Sequence, residues 1–257
     1  MVFRRASLLS LCCLSVLAGS TCGAPGSPDA GLTGDGGTVT TPDAGTGTST
    51  TDGGTTSAVR PLSPQQDGIA TYYDATGAGN CSYDASPGDL RVAAMNTPQW
   101  DNSAVCGMCV RVEGPRGQVT VRIVDRCPEC LTGHLDLSRE AFAAIADPAD
   151  GRVSVKWQPV SCDVQGAVIY RFKEGSSQWW TGIQVRNTRV PVRSLEVQQG
   201  AAWVNVARQD YNFFVEPSGL GVGPYTLRVT GSDGQQLIES GVMLRSEGDA
   251  PGTVQFQ

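Results

Sequence analysis

VDRCPECLTGHLDLS, residues 124–138, places two cysteines three positions apart and then the chain's one histidine two positions before an aspartate. Three chemistries fit: half of a zinc site, a redox dithiol, or a pinched loop that presents carboxyl groups. The compartment decides among them. Arg4 and Arg5 precede an apolar run over residues 6–18, too short for a bilayer span, which takes roughly 20 residues in helix, but suited to an export signal. Gly19, Ser20 and Thr21 then lead into Cys22, as at a lipoprotein processing site. The sequence predicts an exported protein, either secreted or tethered to the bacterial outer surface through a lipid on Cys22. Ordinary cleavage near Ser20 is the alternative.

Of nine cysteines, Cys12 and Cys13 leave with the signal and Cys22 takes the lipid, so six remain: Cys81, Cys106, Cys109, Cys127, Cys130 and Cys162. An even number in an oxidising compartment points to three disulfides. The two C-x-x-C pairs also match the spacing of a four-cysteine zinc site. That arrangement would strand Cys81 and Cys162, and no βαβ pattern surrounds either pair to support a redox dithiol. No metal and no cofactor are expected.

Residues 67–164 carry 13 acidic and 8 basic side chains, and residues 165–257 carry 8 of each. Without a basic run to neutralise phosphates, nucleic acid is not a partner. Anionic polymers are disfavoured for the same reason, which leaves neutral ones.

Four segments follow: an export signal over 1–22, a linker over 23–66, and two β domains over 67–164 and 165–257. The linker is built from Gly, Ser, Thr, Pro, Asp and Ala with PDAG twice, and cannot bury enough surface to offset its chain entropy, so a disordered tether is expected. In the first domain GIATYY, RVAAMN, MCVRVEG, QVTVRIVD and RVSVKWQPV read as short strands, with Val119, Val121 and Ile123 alternating against Thr120 and Arg122. GPRG at 114–117 joins two of them as a hairpin. A helix is expected over 139–146, N-capped by Ser138, with Glu140 at its positive end. A small β-barrel with one helix is the natural packing. The second domain shows seven strand-like runs separated by turn signals, an independent β-sandwich beginning near residues 163–165.

No G-x-S-x-G or H-E-x-x-H is present, and no serine elbow accompanies His134 for a triad. Carboxyls are the better candidates. Asp125 ends a strand and Asp136 precedes the helix; a bridge between Cys127 and Cys130 would bring both to one rim. Each has an ordinary alternative, organising a turn or serving the helix end.

GIATYY (68–73), VDRCPECLTGHLDLS (124–138), FKEGSSQWWTGIQVRN (172–187) and QDYNFFV (209–215) resemble the expansins, especially the bacterial expansin-like proteins, and the likeness runs over nearly all of residues 67–257. The resemblance implies a mainly β fold: a six-stranded double-psi β-barrel, related to family 45 glycosidases, followed by an immunoglobulin-like β-sandwich that binds cellulose. It makes Asp136 the family's essential aspartate, equivalent to the general acid of those glycosidases. Asp125 and Thr71 become its polar neighbours, with Tyr73 on the same surface. His134-Leu135-Asp136 matches the family's H-F-D with Leu for Phe, which makes His134 a surface group or a support for the site. Cys127 stands where some bacterial members carry an aromatic residue. The implied disulfides are Cys81 with Cys106, Cys109 with Cys162, and Cys127 with Cys130.

The implied activity is non-hydrolytic loosening of cellulose and plant cell-wall polysaccharide by disrupting non-covalent contacts, so the protein is not expected to be an enzyme. Hydrolysis ordinarily needs two carboxyl groups across the bond, and the resemblance supplies only the acid. Asp74 lies near where the related hydrolases keep their base, so a β-1,4-endoglucanase is one alternative; an inert carbohydrate-binding surface lipoprotein is the other. Trp179, Trp180 and Tyr211 are implied as a surface row for glucan, assisted by Lys173. Adjacent strand residues face opposite sides, so Gly175-Ser176-Ser177 must let the strand begin irregularly. Trp157 and Trp203 read as core. The expected partners are cellulose and related neutral β-glucans, with xyloglucan or peptidoglycan as further targets. A monomer is expected, meeting a membrane only through its lipid.

Overall fold

The computed structural model describes residues 58–257; the export signal, Cys22 and most of the linker lie outside the described residues. Six strands close the first barrel: β1 (Gln66–Tyr73), β2 (Val92–Asn96), β3 (Cys109–Gly114), β4 (Gly117–Cys127), β5 (His134–Ser138) and β6 (Val153–Val160). Their order around the barrel is β1-β5-β2-β4-β3-β6. Two pairings are parallel, β1 with β5 and β2 with β4, and the rest are antiparallel. This interleaving of two parallel pairs is the double-psi arrangement. The interior is filled by alternate residues, among them Ala70, Ala93, Val121, Ile123, Leu135, Leu137 and Trp157, all buried.

The strand β5 was hidden in the sequence because HLDLS is only five residues long and runs straight into a helix. It alternates over its first four residues, with Leu135 and Leu137 inward and His134 and Asp136 half-exposed, before buried Ser138 turns into the helix. The helix α1 (Arg139–Ala143) stops short of the expected residue 146. After Ala143 the chain tightens: Ala144 and Ile145 donate to Ala141 and Phe142 carbonyls three residues back, and Ile145 and Ala146 are drawn into the barrel core. Ser138 does cap α1, its Oγ accepting from the Ala141 N–H at 3.1 Å while donating to the Leu90 carbonyl. Ser138→Ala is expected to cost about 1–2 kcal/mol, seen as a fall in Tm of roughly 2–4 °C per kcal/mol.

Eight further strands form the second part: β7 (Ile169–Phe172), β8 (Thr181–Arg186), β9 (Val192–Gln199), β10 (Ala202–Arg208), β11 (Phe214–Glu216), β12 (Tyr225–Gly231), β13 (Gln236–Val242) and β14 (Gly248–Pro251). They run in the order β13-β12-β9-β10-β11-β8-β7-β14. A short pairing of β10 with β11 joins two four-stranded layers, whose facing side chains, such as Tyr170, Phe172 and Ile183 from one and Leu195, Leu227 and Val229 from the other, share one core. β14 had no sequence signal because only Ala250 of its four residues is buried. Trp157 is buried in the barrel, but Trp203 is half-exposed rather than core. Val206 points inward, so Trp203, three positions earlier on the same strand, points outward, where the Arg228 guanidinium covers its ring at 4.5 Å.

Cys81–Cys106, Cys109–Cys162 and Cys127–Cys130 are disulfide-bonded. Residues 58–65, within the expected linker, pack against the barrel. The Arg60 carbonyl accepts from the Ser161 N–H at 2.8 Å, the Arg60 N–H donates to Ser161 Oγ at 2.8 Å, and the Leu62 N–H donates to the Pro159 carbonyl at 2.9 Å, extending the edge beside β6. Barrel and sandwich lie in one compact unit. Polar groups knit them: Gln184 Nε2 and Asn212 Nδ2 both donate to the Cys81 carbonyl, and Ser103 Oγ donates to the Gln209 carbonyl at 2.8 Å.

Candidate functional site

Register places three expected residues in one row, with Ala94 between two of them. Asp125 on β4 pairs with Ala94 on β2, Ala94 with Asp136 on β5, and Asp136 with Thr71 on β1. Directly opposed residues in a sheet point to the same face, and Ala94 is excluded from the barrel core, so the row lies on the outer face. Asp125 reaches that face through an irregularity. Val121 and Ile123 point inward, and strict alternation would send Asp125 the same way; the register shift between Ala93 and Ala94 turns it outward.

The row is wired by hydrogen bonds. Thr71 Oγ1 donates to Asp136 Oδ1 at 2.5 Å and lies 2.9 Å from His134 Nε2. Burial raises the Asp136 pKa, opposed by the Thr71 bond and by His134, with Glu129 and Asp125 adding to the rise. His134 is pushed the other way, downward, chiefly by burial and then by Arg152. Asp125 is differently employed: its Oδ1 accepts from the backbone N–H of Asn80 at 2.7 Å and of Arg126 at 2.8 Å. Gly79 packs directly on it, since a Cβ there would sit 2.5 Å from the Asp125 carboxyl carbon.

Tyr73 packs against a small cluster of Ala94, Cys127 and Cys130 beside the row. Its hydroxyl is buried without a hydrogen-bond partner. Burial, then the charges of Asp125 and Asp136, push its pKa up. Asp74 is not brought to the row's hydrogen-bond network. It lies past the end of β1, 88 % exposed, in an ion pair with Arg139 at 3.2 Å.

On the sandwich, Trp179 and Trp180 precede β8 rather than belonging to it. Ser177 and Trp180 form a bridge closing a tight turn, Ser177 N–H donating to the Trp180 carbonyl at 2.7 Å. Trp179 at its tip is 73 % exposed. Trp180 folds back over Gly182, where a Cβ would meet the ring at 3.0 Å and the Lys173 Cβ at 3.2 Å. A side chain there would press on the ring and force it to shift by a few tenths of an ångström. The Tyr211 ring is 6.1 Å from that of Phe213, and Lys173 Nζ stands 5.7 Å over Phe213. Phe213, not singled out from the sequence, thus underlies two expected residues.

A family model described as lytic transglycolase matches residues 65–157. Expansin-YoaJ of Bacillus subtilis is 36 % identical over 200 residues, 74 % of this chain and 86 % of its own length. The chain belongs to the expansin family. Expansin-like protein 1 of Dictyostelium discoideum is 27 % identical over 180 residues, 65 % of this chain and 63 % of that protein. The crystal structure of the Clavibacter michiganensis expansin is similar to this expansin with a TM-score of 0.71 at 36 % identity, covering 76 % of this chain and 98 % of that one. A mutant of the Clavibacter protein, solved in complex with cellohexaose, matches with the same TM-score at 35 % identity.

In this expansin the residues between the two groups are few. Asn80 holds Asp125, the next residue, Cys81, accepts from Gln184 and Asn212, and Asn212 follows Tyr211. Gln184 and Asn212 carried no signal in the sequence, since their partner is a backbone carbonyl about 100 or more residues away, at separations of 103 and 131.

Proposed function

We propose that this expansin binds a neutral β-1,4-glucan of cellulose type and loosens its packing without cutting it. The sandwich, residues 165–257, holds the polymer on Trp179, Trp180 and Tyr211, with Lys173 at the edge. The barrel, residues 67–164, engages one chain through Asp136, aided by Asp125, Thr71 and Tyr73. The observation that carries the reading is the different surroundings of the two row carboxyls. Burial favours a protonated Asp136 able to donate to a glucan oxygen, whereas Asp125 is held by two backbone amides on the same wall of the barrel. A chain gripped there can exchange hydrogen bonds with neighbouring glucans, each worth only about 1 kcal/mol net, for bonds to the protein. The Clavibacter complex with cellohexaose supports the choice of ligand.

One observation favours chain cleavage as a second reading. Asp125 and Asp136 stand two strands apart, about 9–10 Å between backbones by strand spacing, near the carboxyl separation that inverting glycosidases use. The lytic transglycolase description of the barrel model adds peptidoglycan as a substrate to test. Against it, both groups line one face, whereas an inverting base works from the far side of the sugar. Incubation with soluble and crystalline cellulose is expected to release no reducing ends above a heat-killed control, and peptidoglycan no soluble fragments, while cellulose paper weakens. Catalytic release of either product would replace loosening with hydrolysis or transglycosylation.

Three disulfides support export. The lipid on Cys22 belongs to the same proposal; the mass of the mature N-terminus tests it.

A further inference from the structure

His134 is the residue the proposed function leaves without a task. It lies two positions before Asp136 on β5, so both side chains leave the same face, and Thr71, opposite Asp136 on β1, reaches both with its Oγ1. A threonine hydroxyl has one proton to give and lone pairs to receive. With Thr71 donating to Asp136 Oδ1, its 2.9 Å contact with His134 Nε2 is a hydrogen bond when the imidazole carries its proton on Nε2 and donates. In that tautomer the order of donors runs from His134 through Thr71 to Asp136. An oxygen of a neutral carboxyl that accepts a strong hydrogen bond is the carbonyl oxygen, and the acidic proton resides on the other.

We infer that His134 is a positioning residue, which through Thr71 directs the proton of Asp136 to Oδ2, the oxygen left for the glucan. Without the imidazole donor the Thr71 hydroxyl is free to rotate, and the carboxyl proton divides between two oxygens, only one of which meets the ligand. The inference rests on the proposed role of Asp136. The charged groups acting on His134 are Arg152, Asp136 and Glu129; those on Asp136 are His134, Glu129 and Asp125.

The test uses the exported chain, cellulose binding and the weakening of cellulose paper across acid to neutral pH. His134→Leu is expected to lose about tenfold in weakening rate, the worth of one hydrogen bond, with cellulose binding and circular dichroism unchanged. Lowering the pH should not restore it, because the defect lies in where the proton sits and not in whether it is bound. His134→Gln, which keeps an N–H donor, should stay within about threefold of the wild type. Thr71→Val should show the same defect as His134→Leu, and combining the two should add nothing. Because the chain has one histidine, its imidazole nitrogen resonances are assigned at sight, and they should report the Nε2–H tautomer in the wild type and its loss in Thr71→Val.

Full recovery of His134→Leu at low pH, equal loss in the Gln and Leu variants, or an Nδ1–H tautomer would each overturn the inference. Asp136→Asn separates the two layers. If that variant still weakens paper, the reading of the site itself fails; if it is inactive while His134→Leu is fully active, only the relay fails.

Discussion

Asp136→Asn is expected to abolish paper weakening, by about 100-fold or more, while cellulose still sediments with the protein. The substitution preserves shape and still lets Thr71 donate to a carbonyl oxygen, but it removes the acidic O–H and replaces it with an amide. Nothing in the sandwich is touched. The stability of the variant makes the expectation sharper. Burial raises the folded-state pKa of Asp136 above its ordinary 3.8, so between the unfolded and folded values the native state binds the extra proton, and stability falls as pH rises through that window. At neutral pH the wild type carries the whole of this penalty and Asn carries none. Urea unfolding should therefore find Asp136→Asn at least as stable as the wild type at neutral pH, the difference closing below about pH 3.8. An inactive variant that is also destabilised at neutral pH would mean that Asp136 serves the fold.

The same shift gives activity a pH dependence of definite sign. The donor form of Asp136 is lost as pH rises through its raised pKa, so weakening should be fastest in acid and decline toward neutrality. His134, held below its ordinary value by burial, gains a positive charge only on the acid side, where it opposes the rise at Asp136 slightly.

The row containing Asp136 marks how far the sequence could be read. Barrel strands with clean alternation, such as QVTVRIVD, were legible because one face is buried and the other is not. Alternation alone sends Asp125 inward with Val121 and Ile123, however, and the bulge that reverses it leaves no mark on residue types. The alignment of Asp125, Ala94, Asp136 and Thr71 depends on parallel pairings between distant segments, which no local pattern encodes. That Asp136 matters was implied by family resemblance; why its carboxyl is shifted needed the fold. Trp203 shows the opposite limit. Its valine neighbours suggested a core, but the valine facing the core is an odd number of positions away, and the parity of a strand decides the face.

Replacing Trp179 and Trp180 together by alanine is expected to cut affinity for cellulose by roughly 100-fold. Both rings are available because they lie in a turn. A pair of neighbours on a strand would split between faces, whereas Trp179 at the tip and Trp180 folded over Gly182 escape that rule. Covering one large apolar side chain is worth about 1.5–3 kcal/mol, and two rings at the lower figure already give the expected loss at about 1.4 kcal/mol per tenfold. The fold should survive, since neither residue belongs to the shared core of the two layers. Gly182→Ala probes the same surface with every ring retained: the added methyl meets Trp180 at about van der Waals limits or closer, so the ring must lift, and binding should weaken several-fold without a change in circular dichroism. The tryptophan pair should lose paper weakening together with binding, whereas Asp136→Asn loses weakening alone. Undiminished sedimentation of the double variant with cellulose would remove these rings from the binding surface and leave the barrel without its clamp.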